Sequence, residues 1–385
     1  MPRKGNKMPS IKTTVWPIDP HTQAKHEILK NYLKAWFPIL GSTCNKIMYL
    51  DGFAGPGIYQ NGEEGSPVIA LKTSIEHVLQ SKFKAKRKFL FIEKDIRRAN
   101  ILRQVLKERF PELPEKVDYN VWDGEFAPTL SSVLDFVEKE GGKLAPTFAF
   151  LDPFGFSGMP MELIGRLLRF DMCEVMITFM SGFVNRFCDE LREETLDELF
   201  ATKKWRDNRD IKIPDKRKRF LLDLYKVQLQ SVGGATYTRS FEMVGEHNQT
   251  IYHLVYGTKH WVGLKAMKEA MWKVDKRGTY KFSDITDVGQ KFLIDYSKES
   301  HWVPKAADMV FNEFKSQTRT INDIEQFVVI NTPYIFRKSI LKHLEKMASP
   351  KITEVVSRKR KYTYPNGCSI HFLMNKNLRD FDQIL

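Results

Sequence analysis

The sequence predicts an α/β fold with a mostly parallel sheet, closed by an antiparallel hairpin and followed by a smaller C-terminal unit. Three observations predict it. Apolar runs alternate with amphipathic stretches through the first half of the chain, the pattern of strands joined by helical crossovers. The run Tyr49-Leu50-Asp51-Gly52-Phe53-Ala54-Gly55-Pro56-Gly57 takes an apolar strand into a carboxylate and then a glycine-punctuated turn. That is how a buried parallel strand hands its backbone to a nucleotide-type ligand. Glu93, Asp123 and Asp152 close later apolar runs at the intervals a doubly wound sheet imposes.

The elements follow in order. Ile28, Leu29, Tyr32, Leu33 and Trp36 recur at helical spacing behind Pro20, so an amphipathic helix spans 22–36. Strands are expected at 47–50, 89–92, 117–121, 147–151 and 174–179, with helices at 67–79, 96–110, 128–139 and 160–168 between them. Two further strand-like runs, 238–244 and 250–256, flank a polar break and read as an antiparallel hairpin. A parallel sheet ending in such a hairpin is the class I methyltransferase-like, or Rossmann-like, arrangement. The stretch at 184–232 exceeds a plain connection and carries Trp205 and Lys216-Arg217-Lys218-Arg219. It is either a substrate-facing insertion or a helical surface elaboration. Beyond 303, three short helices (306–315, 321–328, 334–347) precede two strands (352–356, 369–373) that flank Arg358-Lys359-Arg360-Lys361. That order is the winged-helix pattern. The expected organisation is a basic arm at 1–20, a methyltransferase-like domain at 21–285, a linker at 286–302 and a winged helix at 303–385.

Composition narrows the partner. Lys and Arg number 61 against 47 Asp and Glu, a net charge of +14 that suits a polyanion, nucleic acid before membrane. The four cysteines, at 44, 173, 188 and 368, form no CxxC pair, and Cys368 with His371 is too few ligands for zinc. Neither a metal centre nor a disulfide framework is expected. No apolar run is long enough to span a bilayer, so a cytoplasmic protein is expected.

The strand-end acids carry the chemistry. Asp51 either reaches a ligand's amino-acid portion or caps its own turn. Glu93 is placed to accept both hydroxyls of a ribose, or else it is an exposed acid beside a helix cap. Asp123 is placed to meet an adenine amine, with Trp122 and Phe126 serving either that site or the core. Asp152-Pro153-Phe154-Gly155 is the sharpest element. A carboxylate and the carbonyl beside a proline can accept hydrogen bonds from an exocyclic amine while a ring stacks on the base. The alternative is a tight turn with core phenylalanines. Ser66, Asn185, Arg186, His26, His247 and His260 are weaker candidates, Arg186 as a phosphate or carboxylate contact.

Lys25-His26 with Tyr32-Leu33, the Asp51–Gly57 turn with Gly65-Ser66-Pro67, Phe91-Ile92-Glu93 and Leu151-Asp152-Pro153-Phe154-Gly155 together resemble the three-Cys-motif partner proteins. These are prokaryotic and phage proteins with a methyltransferase-like core, found beside a three-cysteine, radical-SAM-like protein. The resemblance spans about 20–350 and implies such a partner. The turn at Asp152 departs from the Asp-Pro-Pro-aromatic of adenine and cytosine amino-methyltransferases. It is similar instead to the Asp-Pro-Phe-Gly of tRNA guanine-N2 dimethyltransferases. The expectation is an S-adenosylmethionine-dependent methyltransferase acting on an exocyclic amine of RNA or DNA. Asp51, Phe53, Gly55, Gly57, Glu93 and Asp123 would bind S-adenosyl-L-methionine. Asp152, Pro153 and Phe154 would orient the base, and Arg358, Lys359, Arg360, Lys361 and Arg186 would meet nucleic acid. The alternatives are a catalytically silent adaptor for the three-cysteine partner and a winged-helix DNA-binding regulator.

Overall fold

The computed structural model describes residues 14–186, 192–245, 247–283 and 298–373. Most of the expected basic arm, most of the expected linker, Cys188 and the side chain of Arg186 lie outside the described residues. The chain divides into two compact units, Met1–His260 with Phe282–Ile285, and Trp261–Lys281 with Thr286–Leu385.

The first unit opens with α1 (Pro20–Gly41), started by a proline whose fixed φ suits the first helical turn. Its stripe Ile28, Leu29, Tyr32, Leu33 and Trp36 is buried, as the spacing predicts. Five parallel strands follow: β1 (Lys46–Asp51), β2 (Lys86–Glu93), β3 (Val117–Asp123), β4 (Thr147–Leu151) and β5 (Glu174–Phe179). Helices α2 (Ser66–Ile75), α3 (Ile96–Arg109), α4 (Phe126–Lys139) and α5 (Met161–Arg169) connect them. After β5 come α6 (Ser181–Arg186), α7 (Glu193–Phe200) and α8 (Pro214–Ser231), then β6 (Tyr237–Val244) and β7 (Thr250–Thr258). With β8 (Lys281–Ser283) the sheet has eight strands in the order β3-β2-β1-β4-β5-β7-β6-β8. Strand β7 runs antiparallel to both β5 and β6, and it is a hairpin partner of β6.

Two consequences place the site. β4 and β5 are buried along their whole length, because helices cover both faces of a parallel sheet and leave no polar side. The strand order reverses between β1 and β4, which lie side by side. In open α/β sheets the crevice beyond the carboxyl ends of strands at that reversal is where ligands bind. The insertion after β5 is helical. It is organised around Trp205, whose indole is buried, donates to Asp197 at 2.7 Å and lies under the guanidinium groups of Arg206 and Arg209.

The second unit holds α9 (Trp261–Val274), α10 (Glu299–Phe314), β9 (Thr318–Thr320), α11 (Ile321–Asn331), α12 (Lys338–Lys346), β10 (Ile352–Val356) and β11 (Ser369–Phe372). Its three strands form an antiparallel sheet in the order β10-β11-β9. Thr320 and Asp323 make a reciprocal capping box at the start of α11, the sequence signature of a helix start. The sequence places the end of the first domain at 285, whereas α9 groups with this second unit. The reason is a buried lysine: Lys268 donates to the carbonyls of Val328, Val329, Thr332 and Tyr334 at 2.7–3.1 Å, satisfying the open end of α11. Trp272 of α9 also packs edge-on to Trp302, with ring centroids 5.2 Å apart. No helix among the described residues is long and apolar enough to cross a membrane.

Candidate functional site

The turn after β1 is built by its glycines. Gly55 and Gly57 adopt φ of +62° and +75°, in the left-handed region where a side chain is strained. A Cβ on Gly57 would stand 2.6 Å from Leu102 Cδ1, so α3 packs directly against this turn. A Cβ on Gly55 would meet nothing within 4 Å, leaving its backbone approachable from the crevice.

Asp51 closes β1 and is fully buried (0% exposed). It accepts from the Phe53 N–H and the Tyr49 hydroxyl, both at 3.3 Å. Burial pushes its carboxyl up to about 7, the Ser66 hydroxyl and Phe53 N–H oppose this, and the Asp152 carboxylate pushes the same way. Of the two roles expected for Asp51, the structure displays the turn-bracing one. Phe53 packs its ring against Phe126, with centroids 5.4 Å apart.

Glu93 closes β2 and ties two turns together. One carboxylate oxygen accepts the Gly55 N–H and the other the Asp95 N–H, each at 2.8 Å. Each oxygen retains a second lone pair for a ligand donor. Asp123 lies beside Glu93 in the β2–β3 register, but its carboxylate accepts from Arg103 at 2.6 Å. Phe126 is core, whereas Trp122 is 42% exposed and is not.

Asp152 follows β4 and forms an ion pair with Lys25 of α1. Burial is the largest single influence and works to raise the Asp152 carboxyl. The charge and hydrogen bond of Lys25, with the Thr178 hydroxyl and His26 adding to them, together hold the group below the usual range. Lys25 is buried and also lies over the Tyr252 ring at 5.4 Å. His26 beside it is pushed down to about 3 by burial and then by Lys25, against the pull of Asp152, so it is neutral near pH 7. Burial raises the Tyr59 hydroxyl above its ordinary range, with Asp152 and Asp51 adding to the effect. Asp51, Glu93 and Asp152 thus gather at adjacent strand ends, and Asp51 and Asp152 are close enough to perturb one another.

Phe154 is 59% exposed, with its ring edge-on to Trp16 at 5.5 Å. Trp16 is also edge-on to Tyr59 at 6.0 Å, and its carbonyl accepts the Gln60 N–H at 3.0 Å. The Arg98 guanidinium lies 5.0 Å from the Trp16 centroid and 5.8 Å from that of Phe154. Sequence reasoning gave Lys25, Tyr59, Trp16 and Arg98 no part in a site. The available signal was a cation on an apolar stripe: Lys25 precedes Ile28, Leu29 and Tyr32 at helical spacing, and Arg98 precedes Leu102, Val105 and Leu106.

The basic residues expected to meet nucleic acid divide. Lys359, Arg360 and Lys361 are exposed. Arg358 instead forms a two-pronged pair with Glu345 at 2.7 and 2.8 Å, and Tyr364 donates to the same carboxylate at 2.5 Å. Arg186 ends α6.

No family model and no curated protein matches this chain. Among solved structures, a Legionella pneumophila protein of family DUF519 is 10% identical over 63% of this chain and 85% of its own, with a TM-score of 0.37. A DUF574-family protein from Streptomyces avermitilis is 10% identical over 62% of this chain and 84% of its own, with a TM-score of 0.30.

Proposed function

We propose that the protein is an S-adenosylmethionine-dependent methyltransferase acting on an exocyclic amine of a nucleic-acid base. The observation that carries this reading is the gathering of Asp51, Glu93 and Asp152 at the carboxyl edge where the strand order reverses, beside a Gly55 backbone open to a ligand. The residues present fit the cofactor. Glu93 has lone pairs for a ribose diol, Gly55 leaves its backbone accessible, and Asp51 braces the turn from within. When bound, the cofactor would supply an activated methyl group. Asp123 would meet the adenine while shared with Arg103.

On the substrate side, the Asp152 carboxylate and a carbonyl of the Pro153 turn would accept hydrogen bonds from the amine N–H groups and orient the nitrogen lone pair. Lys25 keeps Asp152 ionised, and therefore an acceptor, at neutral pH. Phe154, more than half exposed, offers a face for a base. The helices and antiparallel strands of the second unit read as a winged helix, with Lys359, Arg360 and Lys361 on the wing and Arg358 fixing its base. The resemblance to three-Cys-motif partners adds a three-cysteine, radical-SAM-like protein as a candidate partner.

One observation favours a second reading, a silent methyltransferase fold serving as an adaptor. The Asp152 carboxylate already holds a buried ammonium where an amine would have to dock. Calorimetry with S-adenosylmethionine, paired with transfer of a labelled methyl group to RNA and DNA, separates the two. The enzyme reading expects binding that Glu93→Ala weakens by about 1.5–3 kcal/mol, as two charge-assisted hydrogen bonds are lost. It also expects transfer that Asp152→Asn abolishes. Binding without transfer to any nucleic acid would leave the adaptor.

A further inference from the structure

Arg98 stands apart from the other buried charges of the first unit. Its side chain is only 9% exposed, its Nε is enclosed without a partner, and its guanidinium makes no hydrogen bond or ion pair among the described residues. What it touches is aromatic: Trp16 and Phe154, two rings that also pack edge-on to each other. Arg87, buried to a similar degree, shows the contrast, since it donates to the carbonyl and hydroxyl of Ser74 at 2.9 and 3.0 Å. A guanidinium stays charged at any physiological pH, and ring faces replace only part of the hydration it has given up. An enclosed arginine without an acceptor is therefore a place where an oxyanion would be strongly favoured.

The surroundings say which oxyanion. Phe154 lies two positions after Asp152 in the sequence, and Trp16 packs edge-on to both Phe154 and Tyr59. Flat rings beside a fork of donors match a molecule that joins an aromatic base to a phosphate. The cofactor's carboxylate shares the oxyanion chemistry. Yet the guanidinium lies against Phe154, two positions after Asp152 in the turn that would orient the base.

We propose that Arg98 is an anchor for a phosphate of the substrate nucleotide, set against the Trp16 and Phe154 rings beside the Asp152 turn. The substrate assignment rests on the methyltransferase reading; the anion site does not. Full-length protein is titrated with the ribonucleoside 5′-monophosphates, with the matching nucleosides and with S-adenosylmethionine. The wild-type chain should prefer at least one monophosphate over its nucleoside by tenfold or more. Arg98→Gln should erase that preference and leave S-adenosylmethionine affinity within twofold. Arg98→Lys, which keeps the charge but loses the fork, should retain part of the preference and guards against a folding defect in the first variant. Three results would each overturn the proposal: no preference in the wild-type chain, an Arg98→Gln variant that keeps it, or a loss confined to S-adenosylmethionine. Loss of cofactor binding in the wild-type chain, with the phosphate preference intact, would sink the methyltransferase reading alone.

Discussion

Asp51 and Asp152 sit on neighbouring strands, yet their surroundings set them apart. Asp51 is fully buried and Asp152 half-buried, but only Asp152 has a cation against it, so it is ionised at neutral pH while the Asp51 carboxyl is pushed up to about 7. The sign for stability follows. A carboxyl whose folded value is raised binds its proton more tightly in the native state. Its favourable contribution is complete below the ordinary carboxylate range and is lost as pH rises through about 7. Asp51→Asn removes that loss. The stability of this variant relative to wild type, from urea unfolding, should improve by about 1–3 kcal/mol between pH 5 and pH 8. A difference that stays flat with pH would show that Asp51 titrates in the ordinary range. The strand-end acids were legible in the sequence, because an apolar run ending in a carboxylate is a local pattern. Lys25 and Arg98 were not, since a cation's partner is set by packing between distant segments. Asp152 lies 127 positions from Lys25.

The turn between β1 and α2 combines two different demands on glycine. Gly55 and Gly57 share the left-handed backbone, but only Gly57 is closed in by a neighbour. Gly55→Ala should therefore cost about 1 kcal/mol of stability from backbone strain, while adding a methyl where a ligand would approach. Gly57→Ala should cost clearly more, since its Cβ would also displace Leu102. Thermal unfolding with and without S-adenosylmethionine checks the split, and equal losses of stability would contradict the contrast. The parallel strands were readable at this scale because burial on both faces makes them continuous apolar runs. The spans 147–151 and 174–179 coincide with β4 and β5. Helix α9 was not foreseen, nor were α7 and α8 resolved within the insertion. Helices α7 and α8 bury only three residues each, a weak periodic signal, and α9 interrupts its apolar face with Lys268, whose acceptors only the fold supplies. The edge strand β3 continues past its apolar stretch to Asp123, since only one partner strand constrains it.

For the whole chain, the charge of +14 is the property that bears on partners. Many basic side chains of the first unit are engaged locally, as with Arg166 on Asp135 and Glu138. Lys359, Arg360 and Lys361 are exposed and carry no such ion pair among the described residues. Reversing these three to Glu in the full chain should weaken nucleic-acid binding. It should also flatten the logarithmic salt slope by about 0.7–0.9 for each phosphate that is no longer neutralised. Binding by the wild-type chain that does not respond to salt would remove the polyanion from the account. The order of the elements was legible across the molecule, but the border between the two units was not. That border turns on α9, whose Trp272 packs on Trp302 and whose Lys268 ammonium seals the open carbonyls at and just beyond the end of α11. The seal has a practical corollary for anyone dissecting the protein. A fragment begun at 286 would trade that donor for water and bare the apolar surface under α9, whereas one begun at 261 would carry its own plug.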